Sequence, residues 1–201
     1  MRPCSRPNRA LSLVEVMVAS ALMLLLAGGT YSLFFNGVRF ARDSEARLAL
    51  QKNLLGAVGL LGMELAESNP TSVRYDPVPA GVVFASPRNA EGSLAMAGGG
   101  KLSWEKVIAY YIREDGNLVR KEWMLDPYVR QSGFPPALDA GFSTADLAAQ
   151  PLPERVMARG VEQFMVEVFE GQATIRVTAA QTDSRGRINR VRLQSAVAIT
   201  N

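Results

Sequence analysis

Histidine is absent from the 201 residues, and cysteine occurs once, at Cys4. The first absence removes the commonest general base and the commonest metal ligand. The second excludes an intrachain disulfide and any cysteine-based zinc centre, and leaves the redox compartment open. No GxSxG nucleophile elbow and no P-loop occur. Asp115-Gly116-Asn117 is an isolated acidic turn, too few carboxylates for a calcium loop. No catalytic residue, metal site or cofactor is expected, and the chain does not read as an enzyme.

Excess charge is also scarce. The net charge is +3, but Arg2, Arg6 and Arg9 all precede Leu11; without them Lys+Arg falls from 22 to 19 and equals Asp+Glu at 19. A chain without that start has no global attraction for phosphate, so nucleic acid is not expected as a direct ligand. Arg185, Arg187, Arg190 and Arg192 read as a solvated strand face. Trp104, Tyr110, Tyr111, Trp123 and Tyr128 read as core or cross-strand aromatics rather than base-stacking platforms.

What the chain does have is a long apolar run. Residues 16–38 contain no charged side chain. A helix of that length covers about 30 Å, the thickness of the hydrocarbon core. A single span in lipid satisfies its backbone only as a helix. Its N-terminal flank carries three arginines and no acid, so the positive-inside rule keeps the N-terminus cytoplasmic and exports the rest. A cleaved secretory signal competes with this reading, because Ala27-Gly28-Gly29 loosely fits a cleavage site. Glu15 argues for the anchor. A carboxylate costs about 2.5–3.5 kcal/mol at bilayer depth, less near the interface, and calls for a partner; a helix N-terminus at headgroup level also tolerates it.

Arg9-Ala10-Leu11-Ser12-Leu13-Val14-Glu15-Val16 resembles the prepilin peptidase site of type IV pilins and type II pseudopilins. That family joins a short basic leader to a small residue, then an apolar residue, with Glu five positions into the mature chain. The resemblance implies cleavage between Ala10 and Leu11, N-methylation of the freed Leu11 amine, and an assembly role for Glu15 as counter-charge to such an amine. Ala10 stands for the usual glycine and Leu11 for the usual phenylalanine, which implies slower processing.

Beyond Arg39 the pattern becomes amphipathic. Leu50, Leu54, Val58, Leu61 and Leu65 fall on one helical face, while Arg42, Glu45, Lys52, Glu64 and Glu67 supply polar positions. Ser68-Asn69-Pro70 marks the stop. One helix over about residues 11–68 is expected. Gly28-Gly29 reads either as a bendable site or as the ordinary tolerance of glycine in membrane helices. Gly56, Gly59 and Gly62 are expected to admit a close helix–sheet approach.

Residues 71–201 read as β-rich. Lys106–Arg113 and Leu118–Leu125 flank an Asp-Gly turn and predict a hairpin. Gln163–Phe169 and Thr174–Ala180 flank Glu170-Gly171, and Ile188–Thr200 alternates as a strand with one buried face. Residues 86–103 and 126–155, rich in glycine and proline respectively, read as surface loops or short insertions. The fold class expected is α+β, pilin-like: a long N-terminal helix packed on an antiparallel β-sheet domain. Its parts are a leader at residues 1–10, a membrane and assembly half-helix at 11–38, an amphipathic half at 39–69 and a β-rich domain at 70–201.

Tyr110-Tyr111-Ile112-Arg113, Gly116–Arg120 and Gly160–Phe164 are similar to the larger minor subunits, the J-type pseudopilin and the W-type minor pilin. The resemblance implies a minor pilin or pseudopilin that primes or caps a filament serving secretion, twitching motility or DNA uptake. Implied partners are a prepilin peptidase, other minor subunits, the major subunit, an inner-membrane platform protein and membrane lipid. The implied location is the inner membrane, single-pass, with the C-terminal domain exported. The competing class is a signal-anchored exported binding protein that does not polymerise.

Overall fold

A computed structural model describes residues 12–127, 130, 134–138, 142–183 and 186–200. The chain divides into two units, Met1–Glu45 and Ala46–Asn201. Helix α1 (Leu13–Ala66) begins in the first and ends in the second.

In the first unit α1 is helical through Gly28-Gly29, and its large apolar side chains are exposed: Leu24 at 74% and Phe34 at 67%. Two of its hydroxyls are bonded within the helix. Ser20 donates to the Val16 carbonyl at 2.9 Å and Thr30 to that of Leu26 at 2.8 Å. Back-bonding of this kind removes polar groups that lipid could not satisfy.

In the second unit α1 buries the expected face, with Leu54, Leu61 and Leu65 no more than 1% exposed. Each such side chain contributes roughly 1.5–3 kcal/mol relative to exposure. Helical bonding ends with Ser68 N–H on the Leu65 carbonyl, and Asn69 then caps a 3-10 turn, Pro70–Ser72.

The strands are β1 (Val73–Pro77), β2 (Ala80–Ser86), β3 (Lys106–Ile112), β4 (Leu118–Met124), β5 (Glu154–Ala158), β6 (Val161–Phe169), β7 (Gln172–Thr182) and β8 (Ile188–Ala198). They form two antiparallel meanders, β1-β2-β3-β4-β5 and β6-β7-β8, the antiparallel β-sheet domain that was expected on the long helix. The predicted hairpins β3–β4 and β6–β7 form in register. Gly116 sits at φ 74° in the first turn, and Glu170 and Gly171 at φ 49° and 76° make the two-residue turn of the second.

One core joins α1 to both sheets through Phe84, Ile108, Tyr110, Phe164, Ile175 and Val177. A second lies on the other face of the five-stranded sheet, around Val83, Trp104, Val107, Tyr111, Val119 and Leu147. Because both faces are covered, β2 and β3 are apolar without alternation.

The segment expected to be surface loop over 126–155 therefore has a structural task. It holds a short helix α2 (Thr144–Ala149) whose Leu147 is buried against the sheet, and its last two residues begin β5. Ser143 and Asp146 form a capping box at its start, and buried Asp76 accepts from Thr144 N–H at 2.7 Å. At its end Lys121 Nζ donates to the carbonyls of Leu147, Ala148 and Gln150 at 3.3, 2.8 and 3.0 Å. An anion at the start and a cation at the end both complement the helix dipole.

Two further expectations are corrected. Of the three glycines in the amphipathic half, only Gly62 meets the sheet, where an added Cβ would lie 3.1 Å from Val197; at Gly56 and Gly59 it would meet nothing within 4 Å. Glu64 is not a solvated polar position but is buried, 8% exposed. It holds Arg120 and Tyr110 of the sheet.

Candidate functional site

The N-terminus of α1 carries the candidate site. Ala10 and Leu11, the expected cleavage and methylation positions, lie outside the described residues, as do Tyr128 and Arg185. Ser12 precedes the helix. Its hydroxyl accepts from Val14 N–H at 3.3 Å, and the Glu15 carboxylate reaches back to accept from Ser12 N–H at 2.9 Å. This is a reciprocal cap of the Ser-x-x-Glu type, which satisfies two of the helix's orphan N–H groups. The Ser-x-x-Glu spacing was visible in the sequence, but Glu15 was read there as an anion near a helix start and as counter-charge to an amine, not as a cap partner of Ser12. Ser12 is thus the residue that sequence reasoning missed at this site.

The cap sets where the charge is held. Glu15 is bonded to the amide of residue 12, next in chain to Leu11. C-terminal to the cap lies the described stretch long and apolar enough to cross a membrane, with a mean hydropathy of 1.9 over its best window and no part buried within the chain.

Among the described residues of the second unit, no cluster of three acidic, histidine or cysteine side chains could hold a metal. Its polar groups are structural. Tyr110 donates to Glu64 at 2.6 Å, and Arg120 donates to both Glu64 oxygens at 3.2 and 2.6 Å. Burial, then the Glu64 carboxylate, pushes the Tyr110 hydroxyl far above its ordinary range. Burial alone would lower Arg120, but its bonds to Glu64 and the charge of Glu122 carry it net upward.

Trp104, Tyr110 and Tyr111 are at most 3% exposed. Trp123 is half-buried, packed against the second core. Arg190 pairs with Glu162 at 2.9 Å and Arg187 with Asp183 at 2.9 Å, as a solvated strand face should.

Residues 5–31 match the family described as the prokaryotic N-terminal methylation motif. No curated protein and no solved structure matches the chain. The match covers Ala10, Leu11, Ser12 and Glu15 together with residues 16–31 of the apolar run. It gives the chain the N-terminus of type IV pilin-like prepilins, and with the apolar helix it makes a single-pass membrane anchor.

Proposed function

From this pilin-like N-terminus, we propose that the chain is a minor pilin or pseudopilin. A prepilin peptidase cuts between Ala10 and Leu11, the freed Leu11 amine is methylated, and the subunit enters a filament beside other minor subunits and a major subunit. The observation that carries the reading is the methylation motif ending in a carboxylate, Glu15, at the threshold of an uncharged helix. Residues 11–38 are the membrane and assembly half of α1, residues 39–69 its amphipathic half, and residues 70–201 the exported domain. The β3–β4 hairpin residues Tyr110–Arg113 and Gly116–Arg120 favour the J-type or W-type branch, a subunit that primes or caps the filament.

The electrostatics support cleavage as the step that completes the site. Among the described residues, the Glu15 carboxylate accepts from one amide, Ser12 N–H. After cleavage a cationic amine lies on the neighbouring residue or on an adjacent subunit. An ion pair in low dielectric is worth keeping only when both charges have partners, and losing one strands the other. Assembly in register then follows from the pairing.

The test is co-expression with a prepilin peptidase, followed by mass spectrometry of the membrane-purified protein. The expected N-terminus is N-methyl-Leu11. A chain that still begins at Met1, or that begins after Ala27, overturns the reading. Glu15→Leu should keep its membrane level and lose incorporation into sheared filaments. Equal co-assembly at equal membrane abundance would show that the pairing is wrong.

A further inference from the structure

Strand β4 outruns its neighbour β5. Leu125 N–H bonds the Glu105 carbonyl and Arg113 N–H bonds the Asn117 carbonyl, which fixes the phase of the β3–β4 ladder. In an antiparallel ladder both backbone groups of a residue point the same way. Val119, Lys121 and Trp123 therefore face β3, and Arg120, Glu122 and Met124 face the β5 side.

The β4–β5 register stops at Lys121↔Glu154. Continued by three residues, it would set Pro153 against Glu122, Leu152 against Trp123 and Pro151 against Met124. Neither proline has an N–H to give. Between them, Leu152 N–H turns back onto the Gln150 carbonyl at 2.8 Å. Proline thus falls at both positions that would have continued the ladder. The carbonyl of Glu122 and both backbone groups of Met124 are left without a strand donor or acceptor among the described residues, and Met124 is 45% exposed.

A cleft of about 700 Å³ lies at this gap, with Trp123, Met124, Pro151, Leu152, Pro153 and Arg155 among its walls. Its carboxylates are already engaged. Glu122 binds Lys106 at 2.9 Å and Arg120 at 2.5 Å, and Glu154 binds Lys121 at 3.0 Å and Arg113 at 3.1 Å. Arg155 is exposed and has no ion pair among the described residues. The one uncommitted charge of the cleft is positive.

We propose that this gap is a binding site for a short extended segment of another polypeptide. The segment lies beside the end of β4 as a local strand, bonded to Met124, with an apolar side chain against Trp123 and Leu152 and a carboxylate on Arg155. Main-chain bonds supply affinity in such strand addition, and the side-chain pockets supply selectivity. The site does not depend on filament membership, so it and the pilin assignment fail separately.

The probe is a blocked hexapeptide alternating valine and glutamate, titrated against the full chain in lipid nanodiscs. Trp104 is buried, so a change in indole fluorescence reports Trp123. Saturable binding is expected. Methylating alternate peptide amides should weaken it about tenfold or more in one register and hardly at all in the other, because only one edge of the added strand faces β4. Arg155→Glu should shift preference to a valine–lysine peptide. Three results would each overturn the proposal: no saturation up to about 1 mM, equal tolerance of both methylation registers, or equally effective competition by free glutarate, the mark of a small-anion site.

Discussion

Replacing Glu64 with leucine tests whether the helix is fastened to the sheet by charge. The carboxylate is 8% exposed, and its side chain and that of Arg120 are 10% and 11% exposed. Removing one member of a buried ion pair costs about 3–5 kcal/mol, because the other is stranded. Here the lower end applies, since Arg120 keeps Glu122 at 2.5 Å. The Tyr110 hydroxyl, in a fully buried residue, loses its acceptor, which adds about 1 kcal/mol or more. The expected loss is about 4 kcal/mol. For a folded unit of this size that lowers the thermal midpoint by about 8–16 °C. The assay is thermal unfolding of the detergent-solubilised chain, followed by the fluorescence of buried Trp104. Combining Glu64→Leu with Tyr110→Phe and Arg120→Met removes every stranded polar group and should return stability to within about 1 kcal/mol of wild type. If the single variant unfolds within about 1 kcal/mol of wild type, or the triple variant is no better than the single, the network does not fasten the helix.

Two other perturbations follow from the same packing. Glu154 is held below the usual carboxylate range, first by its hydrogen bond from Lys121; burial pushes Glu122 up, yet Lys106 and Arg120 carry it net below. Depressed carboxylates stabilise the fold above their unfolded value of about 4.3 and stop doing so as pH falls through the lowered folded values. Thermal midpoints should therefore hold steady down to about pH 4.5 and fall below it, and Glu154→Gln should flatten that acid limb; an unchanged limb would place the acid sensitivity elsewhere. Glycine substitutions should divide by location. A Cβ on Gly81 would lie 2.6 Å from both the Tyr110 carbonyl oxygen and Tyr111 Cβ, so Gly81→Ala should cost more than about 2 kcal/mol in urea titration. Gly59→Ala meets nothing and should gain up to about 1 kcal/mol by the same titration.

The amino-acid sequence by itself determined the elements whose signal is local. An uncharged run, one apolar face at 3.6-residue spacing and an Asn-Pro stop were enough for α1. Asp-Gly and Glu-Gly turns between β-formers were enough for the two hairpins. The methylation motif was legible for the same reason, since a leader, a scissile pair and a carboxylate lie within the first fifteen residues.

Only the tertiary structure decided what is shared between distant segments. β2 is buried on both faces, so it shows no alternation, and the need for a second covering layer was invisible until α2 and its flanking segments were seen on it. Ser143-x-x-Asp146 caps the start of α2, but a helix of six residues is marginal without Asp76 and Lys121 at its two ends, and these come from different strands. Glu64 looked like a solvent position because periodicity assigns a face and not a partner; Arg120, 56 residues later, makes its burial tolerable. Pro151 and Pro153 read as loop punctuation, yet opposite β4 they become a gap in a sheet. Hydrophobic period and turn chemistry are written residue by residue. Burial of a charge, a covered face and an unpaired strand end are properties of which segments meet, and the fold alone brings those segments together.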